Sequence, residues 1–228
     1  MAGGTAASPG SLATPKPTVY IVDDDASIRR LLSWLMEKEG VLVRCFANAE
    51  AFLEGFKATG PACLVLDLKL GGMDGLGLQQ RLKEGGYELP VVFVSGAAQV
   101  PQAVQAVKDG AVDFVVKPFD YRKIVELIRN CLARSTEAYQ RREQAEASQA
   151  TLSALTPRER EVMDRVVAGK LNRMIADELA VSIKTVEAHR ARIMEKLHVH
   201  SVADLVRLSM SASVRLGFTL IVETGALP

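Results

Sequence analysis

Four short apolar runs in the first half of this 228-residue sequence each end in a polar group with chemistry of its own. Cys63-Leu64-Val65-Leu66 ends in Asp67, and Val19-Tyr20-Ile21-Val22 ends in Asp23-Asp24-Asp25. Val91-Val92-Phe93-Val94 ends in Ser95, and Val112-Asp113-Phe114-Val115-Val116 ends in Lys117-Pro118. If the runs are neighbouring strands, Asp23, Asp24 and Asp67 crowd like charges at one edge. That is costly unless a cation sits among them. Hard carboxylate oxygens select a hard cation, Mg2+ above all. A carboxylate can also act as a nucleophile and form an aspartyl phosphate. Lys117 and the metal would then stabilise the oxygens of the transferring phosphoryl group, and Ser95 could hydrogen-bond the phosphate afterwards. The plain alternative is that the acidic residues are helix caps and the lysine is solvated. Four such groups at four strand ends argue against it.

These positions require a particular frame. The apolar runs read as strands 18–22, 41–46, 63–66, 91–94 and 112–116, each followed by a helical pattern. Asp25, Asn48 and Asp74 stand where helix caps belong, and Gly40, Gly60 and Gly85-Gly86 stand where helices stop. Strand and helix alternate five times. This predicts an α/β fold, a doubly wound five-stranded parallel sheet with helices on both faces. In such sheets, ligands and chemistry gather at the carboxyl ends of the strands.

The hydrophobic fraction is 48% and the formal net charge +1. The charge balance neither favours nor excludes nucleic acid. No apolar run approaches membrane-spanning length, so no membrane association is expected. Residues 1–17 are rich in Ala, Gly, Ser, Thr and Pro and lack the basic start and apolar core of a secretory signal; they read as a disordered tail. Cys45, Cys63 and Cys131 are irregularly spaced, as expected of reduced, buried thiols in a cytoplasmic protein.

The second half has another character. From Arg134 the chain is polar, free of Pro and Gly and rich in helix formers, which predicts a solvated helical linker over 135–153. Thr156-Pro157-Arg158-Glu159 combines a threonine cap, proline at the first helical position and a capping-box glutamate. A short helix over 172–179, a turn at Ala180-Val181 and a longer helix capped by Ser182 make a helix-turn-helix, with a fourth helix from Ser201. On the longer helix Val186, Ile193 and Leu197 should face inward. Lys184, Ala188, Ala191 and Arg192 lie opposite, flanked by Thr185 and Glu187. Two alanines there would let the helix approach a groove floor. Arg190 falls nearer the buried side, its head able to snorkel outward. Glu187 either accepts from a cytosine amino group or pairs with Arg190 or Lys184. A small helical interaction domain is the competing reading.

Val22-Asp23-Asp24-Asp25, Leu66-Asp67, Val94-Ser95-Gly96 and Lys117-Pro118-Phe119 resemble the flavodoxin-like receiver domain of two-component response regulators, over residues 18–134. Leu155-Thr156-Pro157-Arg158-Glu159-Arg160-Glu161-Val162 and Lys184-Thr185-Val186-Glu187-Ala188-His189-Arg190 are similar to the LuxR-type DNA-binding domain, over residues 154–214. Together they resemble the NarL/FixJ-type regulators. The resemblance implies that Asp67 accepts a phosphoryl group from a sensor histidine kinase. It implies that Asp23, Asp24, Asp67 and the Lys69 carbonyl hold magnesium, and that Lys117, Ser95 and Phe114 are the phosphate-pairing and switch positions. The Lys117–Pro118 bond would be cis. The helix from Lys184 to Arg192, His189 included, would meet double-stranded DNA, with phosphorylation promoting a homodimer or relieving inhibition. Gly71, where related receivers often carry proline, should loosen the loop after Asp67. Residues 215–228 lie beyond the resemblance. Two rivals remain at this point: a phosphate-independent DNA binder whose receiver only recruits partners, and an aspartyl-phosphate phosphatase. No loop is long enough for the substrate cap of the second.

Overall fold

The structure is a computed structural model that describes residues 15–96 and 100–213. The expected tails fall wholly or mostly outside these residues. The described chain divides into two compact units between Tyr139 and Gln140.

In the first unit, five strands alternate with five helices. They are β1 (Thr18–Val22), α1 (Ala26–Lys38), β2 (Leu42–Phe46), α2 (Ala49–Gly55), β3 (Ala62–Leu66), α3 (Gly75–Glu84), β4 (Val91–Ser95), α4 (Val100–Lys108), β5 (Asp113–Val116) and α5 (Tyr121–Leu152). All strand pairs are parallel, in the order β2-β1-β3-β4-β5. Side chains alternate faces along a strand. Tyr20, Val22, Leu64, Leu66 and Phe93 therefore pack on one face with Phe52, Leu78 and Leu82, while Val19, Ile21, Cys63, Val65, Val92 and Val94 pack on the other with Leu32, Met36, Ile124 and Ile128. Helices cover both sides, so β3 and β4 are buried at every residue.

The edge strands differ. β2 and β5 are only partly covered, and this corrects one expectation: Cys63 and Cys131 are buried, but Cys45, on the edge strand, is exposed. The caps stand where the sequence places them. Asp25, Asn48 and Asp74 side chains accept backbone N–H groups of the first turns of α1, α2 and α3.

The second unit holds the end of α5 and α6 (Pro157–Val167), α7 (Asn172–Leu179), α8 (Ile183–Lys196) and α9 (Val202–Ser213). Its core includes Leu152, Leu155, Val162, Met163, Ile175, Val186, Ile193 and Leu205. Ala180 takes the left-handed conformation (φ 52°) that ends α7 and starts the turn into α8. The linker is not simply a solvated spacer. α5 is one continuous helix to Leu152, and Ala145, Ser148 and Leu152 are buried at near-heptad spacing. No helix among the described residues is long and apolar enough to cross a membrane.

Candidate phosphoacceptor site and nucleic-acid interface

The carboxyl ends of β1, β3, β4 and β5 bring the expected groups together. Asp23 follows β1, Asp67 follows β3, Ser95 ends β4 and Lys117 follows β5. The Lys117 ammonium donates to Asp23 Oδ2 at 2.7 Å and to Asp67 Oδ2 at 2.8 Å. Asp23 and Asp67 are buried, Asp24 is exposed, and one oxygen from each lies within 4.8 Å of the others. Burial raises the Asp23 carboxyl pKa above its ordinary value, outweighing the Lys117 and Asp25 hydrogen bonds that lower it. For Lys117, burial acts to lower the pKa, but the two carboxylates together more than compensate and raise it. A single ammonium facing three carboxylates leaves the edge acidic. This donor set fits a hard divalent cation.

The remaining positions are arranged around this centre. Lys69 donates its backbone N–H to Asp67 Oδ1 at 3.2 Å. The Lys117–Pro118 bond is cis. Ser95 is buried, and its carbonyl accepts the Lys117 N–H at 2.9 Å, which ties two site residues through adjacent strands. Phe114 is half-buried and stacks on Phe93 with centroids 6.1 Å apart.

Three contributors escape a reading of strand ends. The Arg29 guanidinium donates to the Asp23 carbonyl at 2.6 Å and the Asp24 carbonyl at 3.0 Å, fixing the acidic turn from one helical turn away. Gly75 opens α3 against the Asp67 carbonyl, where a Cβ would lie 2.3 Å from that oxygen. The Asp74-Gly75 pair is the only signal in the sequence, and it reads there as a cap. Glu50 accepts the Met73 N–H at 3.0 Å; that bond chiefly holds its carboxyl pKa below the ordinary value.

In the second unit, α8 packs on α6 and α7 with Val186 and Ile193 inward. Lys184, Glu187, Ala188, Ala191 and Arg192 are exposed, while Thr185, His189 and Arg190 are half-buried. The Arg190 guanidinium donates to Asn172 Oδ1 at 2.9 Å, a link from α8 to the start of α7 that helical periodicity does not show. His189 Nδ1 is buried with no partner among the described residues. Glu187 and Lys184 make no hydrogen bond or ion pair among the described residues, so the intrahelical pairing of Glu187 is not formed.

A sheet-edge acidic site on a five-stranded parallel fold, followed by a helix-turn-helix, defines a response regulator with a DNA-binding output. Residues 19–129 match the family model described as the response regulator receiver domain, and residues 153–209 match that of the bacterial regulatory proteins of the luxR family. The transcriptional regulatory protein FixJ of Bradyrhizobium diazoefficiens is 36% identical over 201 residues, 88% of this chain and 98% of that protein. The transcriptional regulatory protein TdiR of Thauera aromatica is 39% identical, over 86% of each chain. Among solved structures, the response regulator StyR superposes with a TM-score of 0.77 at 38% identity, over 86% of this chain and 98% of that one. Full-length FixJ from B. japonicum superposes with a TM-score of 0.53 at 36% identity, over 89% and 99%. The chain belongs to the FixJ-type response regulators, phosphorylation-regulated DNA-binding transcription factors built of a receiver and a LuxR-type helix-turn-helix. Its domains imply a histidine kinase and DNA as partners.

Proposed function

We propose that Asp67 is the phosphoacceptor, with residues 18–134 as the receiver, 135–153 as the linker and 154–214 as the DNA-binding domain. The observation that carries this is the Lys117 ammonium bridging Asp23 and Asp67 at the buried edge. An Asp67 carboxylate oxygen forms the new bond to phosphorus as the bond to the kinase's imidazole nitrogen breaks. Asp23, Asp24, Asp67 and the Lys69 carbonyl would hold magnesium, which when bound neutralises charge on the phosphoryl oxygens. Lys117 then turns from carboxylate to phosphate, the Ser95 hydroxyl follows, and Phe114 moves with it. On α8, Lys184 and Arg192 meet the DNA backbone, and Glu187, Ala188 and Ala191 face the groove floor. Thr185, His189 and Arg190 lie at its margin. The phosphorylated protein is a homodimer, and the whole acts in the cytoplasm.

Asp67→Asn tests the acceptor. The amide matches the carboxylate in shape but is a poor nucleophile. Incubated with acetyl phosphate and magnesium, the wild type should gain one phosphoryl group by intact-protein mass spectrometry and the variant none. Uptake by the variant at the wild-type level would place the acceptor elsewhere.

A further inference from the structure

We propose that Glu50 is a positioning residue for the Asp67 site, clamping the loop that carries Lys69. The inference rests on the reading of Asp67 as phosphoacceptor. The loop from Leu68 to Asp74 is anchored at its ends: Lys69 N–H reaches Asp67 Oδ1, Gly75 N–H reaches the Leu68 carbonyl at 2.9 Å, and Asp74 caps α3. Between the anchors lie Gly71 and Gly72, which have more conformations to lose than any other residues. Gly71 has nothing within 4 Å of a built Cβ. Glu50 supplies the missing restraint. It stands in the first turn of α2, on a helix fixed by the buried Ala49 and Phe52 and by the Asn48 cap. From there its Oε1 reaches across 23 residues of sequence to the Met73 N–H.

Gly72 is the other half of the device. Its φ of +101° is a conformation that residues with a Cβ rarely adopt. A Cβ at Gly72 would also stand 2.8 Å from Glu50 Oε1. The carboxylate thus occupies the space that the missing side chain leaves. Gly72, which by its freedom ought to loosen the loop, instead lets a side chain from α2 hold it. The Lys69 backbone, beside Asp67, is kept in place before any ligand arrives, which removes an ordering cost from binding.

The experiment compares full-length wild type, Glu50→Ala, Glu50→Gln and Gly72→Ala. Amide exchange of Lys69 and Met73 is followed by NMR in metal-free protein, and uptake from acetyl phosphate is followed against magnesium concentration. Glu50→Ala should exchange at Met73 about tenfold faster, with β3 amides unchanged, because one loop hydrogen bond is lost. Its half-maximal magnesium concentration should rise severalfold with the plateau rate kept. Glu50→Gln retains an acceptor oxygen and should behave as wild type. Wild-type exchange and magnesium dependence in Glu50→Ala would overturn the clamp, and so would a Glu50→Gln as impaired as Glu50→Ala. If Glu50→Ala does not fold, Gly72→Ala decides: it must show the same two shifts, and wild-type behaviour refutes the proposal. Wild-type protein that takes up no phosphate would instead overturn the acceptor, while the exchange data still judge the clamp.

Discussion

At the scale of single residues, the proposed DNA contacts of α8 should divide into two kinds. Phosphate contacts set affinity and salt dependence, whereas base-edge contacts set sequence preference. Lys184 is exposed in the first turn, where a recognition helix enters the groove. Glu187 lies one turn on, and Arg190, its natural partner, is already taken by Asn172. An unpaired carboxylate is repelled by DNA unless it meets a donor, and in the major groove that donor is the cytosine amino group. Lys184→Ala should weaken all sites alike and lower the salt slope by about one. Glu187→Ala should relax one base pair, worth roughly 1–3 kcal/mol, with little change in slope. Binding-site selection with salt titrations on both variants checks this. Unchanged base preference in Glu187→Ala would refute it. In the receiver, Asp24→Ala should abolish magnesium-dependent uptake from acetyl phosphate, and normal uptake would show that the metal sits elsewhere.

At the scale of elements, the start of α6 is the most heavily specified joint in the second unit. The Thr156 side chain accepts the Glu159 N–H, and Glu159 Oε2 accepts the Thr156 N–H at 2.9 Å. The same oxygen accepts from Lys196 at the end of α8 at 2.7 Å, so one carboxylate caps one helix and ties it to another. The Lys196 hydrogen bond, then the Thr156 N–H, lower the Glu159 pKa from its ordinary 4.5 to about 2. A carboxyl depressed on folding stabilises the fold fully above its unfolded pKa and loses that contribution as pH falls through the folded one. The window is therefore pH 4.5 to about 2. Acid unfolding followed through α6 and α8 amide protection should flatten across that window in Glu159→Gln, and an unchanged profile would deny Glu159 this role. Thr156→Ala should cost about 1 kcal/mol at neutral pH through loss of the cap, measurable by denaturant unfolding.

At the scale of the molecule, phosphorylation at the proposed acceptor Asp67 would have to reach a surface. Ser95 pairs with Val116 in the sheet register and Phe93 with Phe114, so the proposed movement of Ser95 and Phe114 would act directly on the edge strand β5. β5 lies against α4, whose Val104 and Val107 are exposed, as are Val112 just before β5 and Val116 at its end. Several valines in water on one edge favour a partner that covers them. Full phosphorylation should convert monomer to dimer, and Val107→Asp should block the conversion while leaving phosphoryl uptake intact. Sedimentation at micromolar concentration is the measurement; an unchanged coefficient on full phosphorylation would count against this face.

Much of this protein is local in origin and therefore legible in its sequence. Buried parallel strands write themselves as short Leu- and Val-rich runs, and caps such as Asp25, Asn48, Asp74 and Thr156 act within three residues. The carboxylates and Lys117 follow from the rule that strand ends in such sheets converge. What the tertiary structure alone decided depends on distance in the chain. Cys45 is exposed because β2 is an edge, and edge position is a property of strand order. Ala145 and Ser148 are buried by their place in the second compact unit, not by their own bulk. Arg190 reaches Asn172 rather than Glu187, and Glu50 reaches Met73, because folding places on one spot groups that lie far apart in the sequence. Local periodicity carries no record of such meetings, since the geometry that creates them is the packing of whole elements.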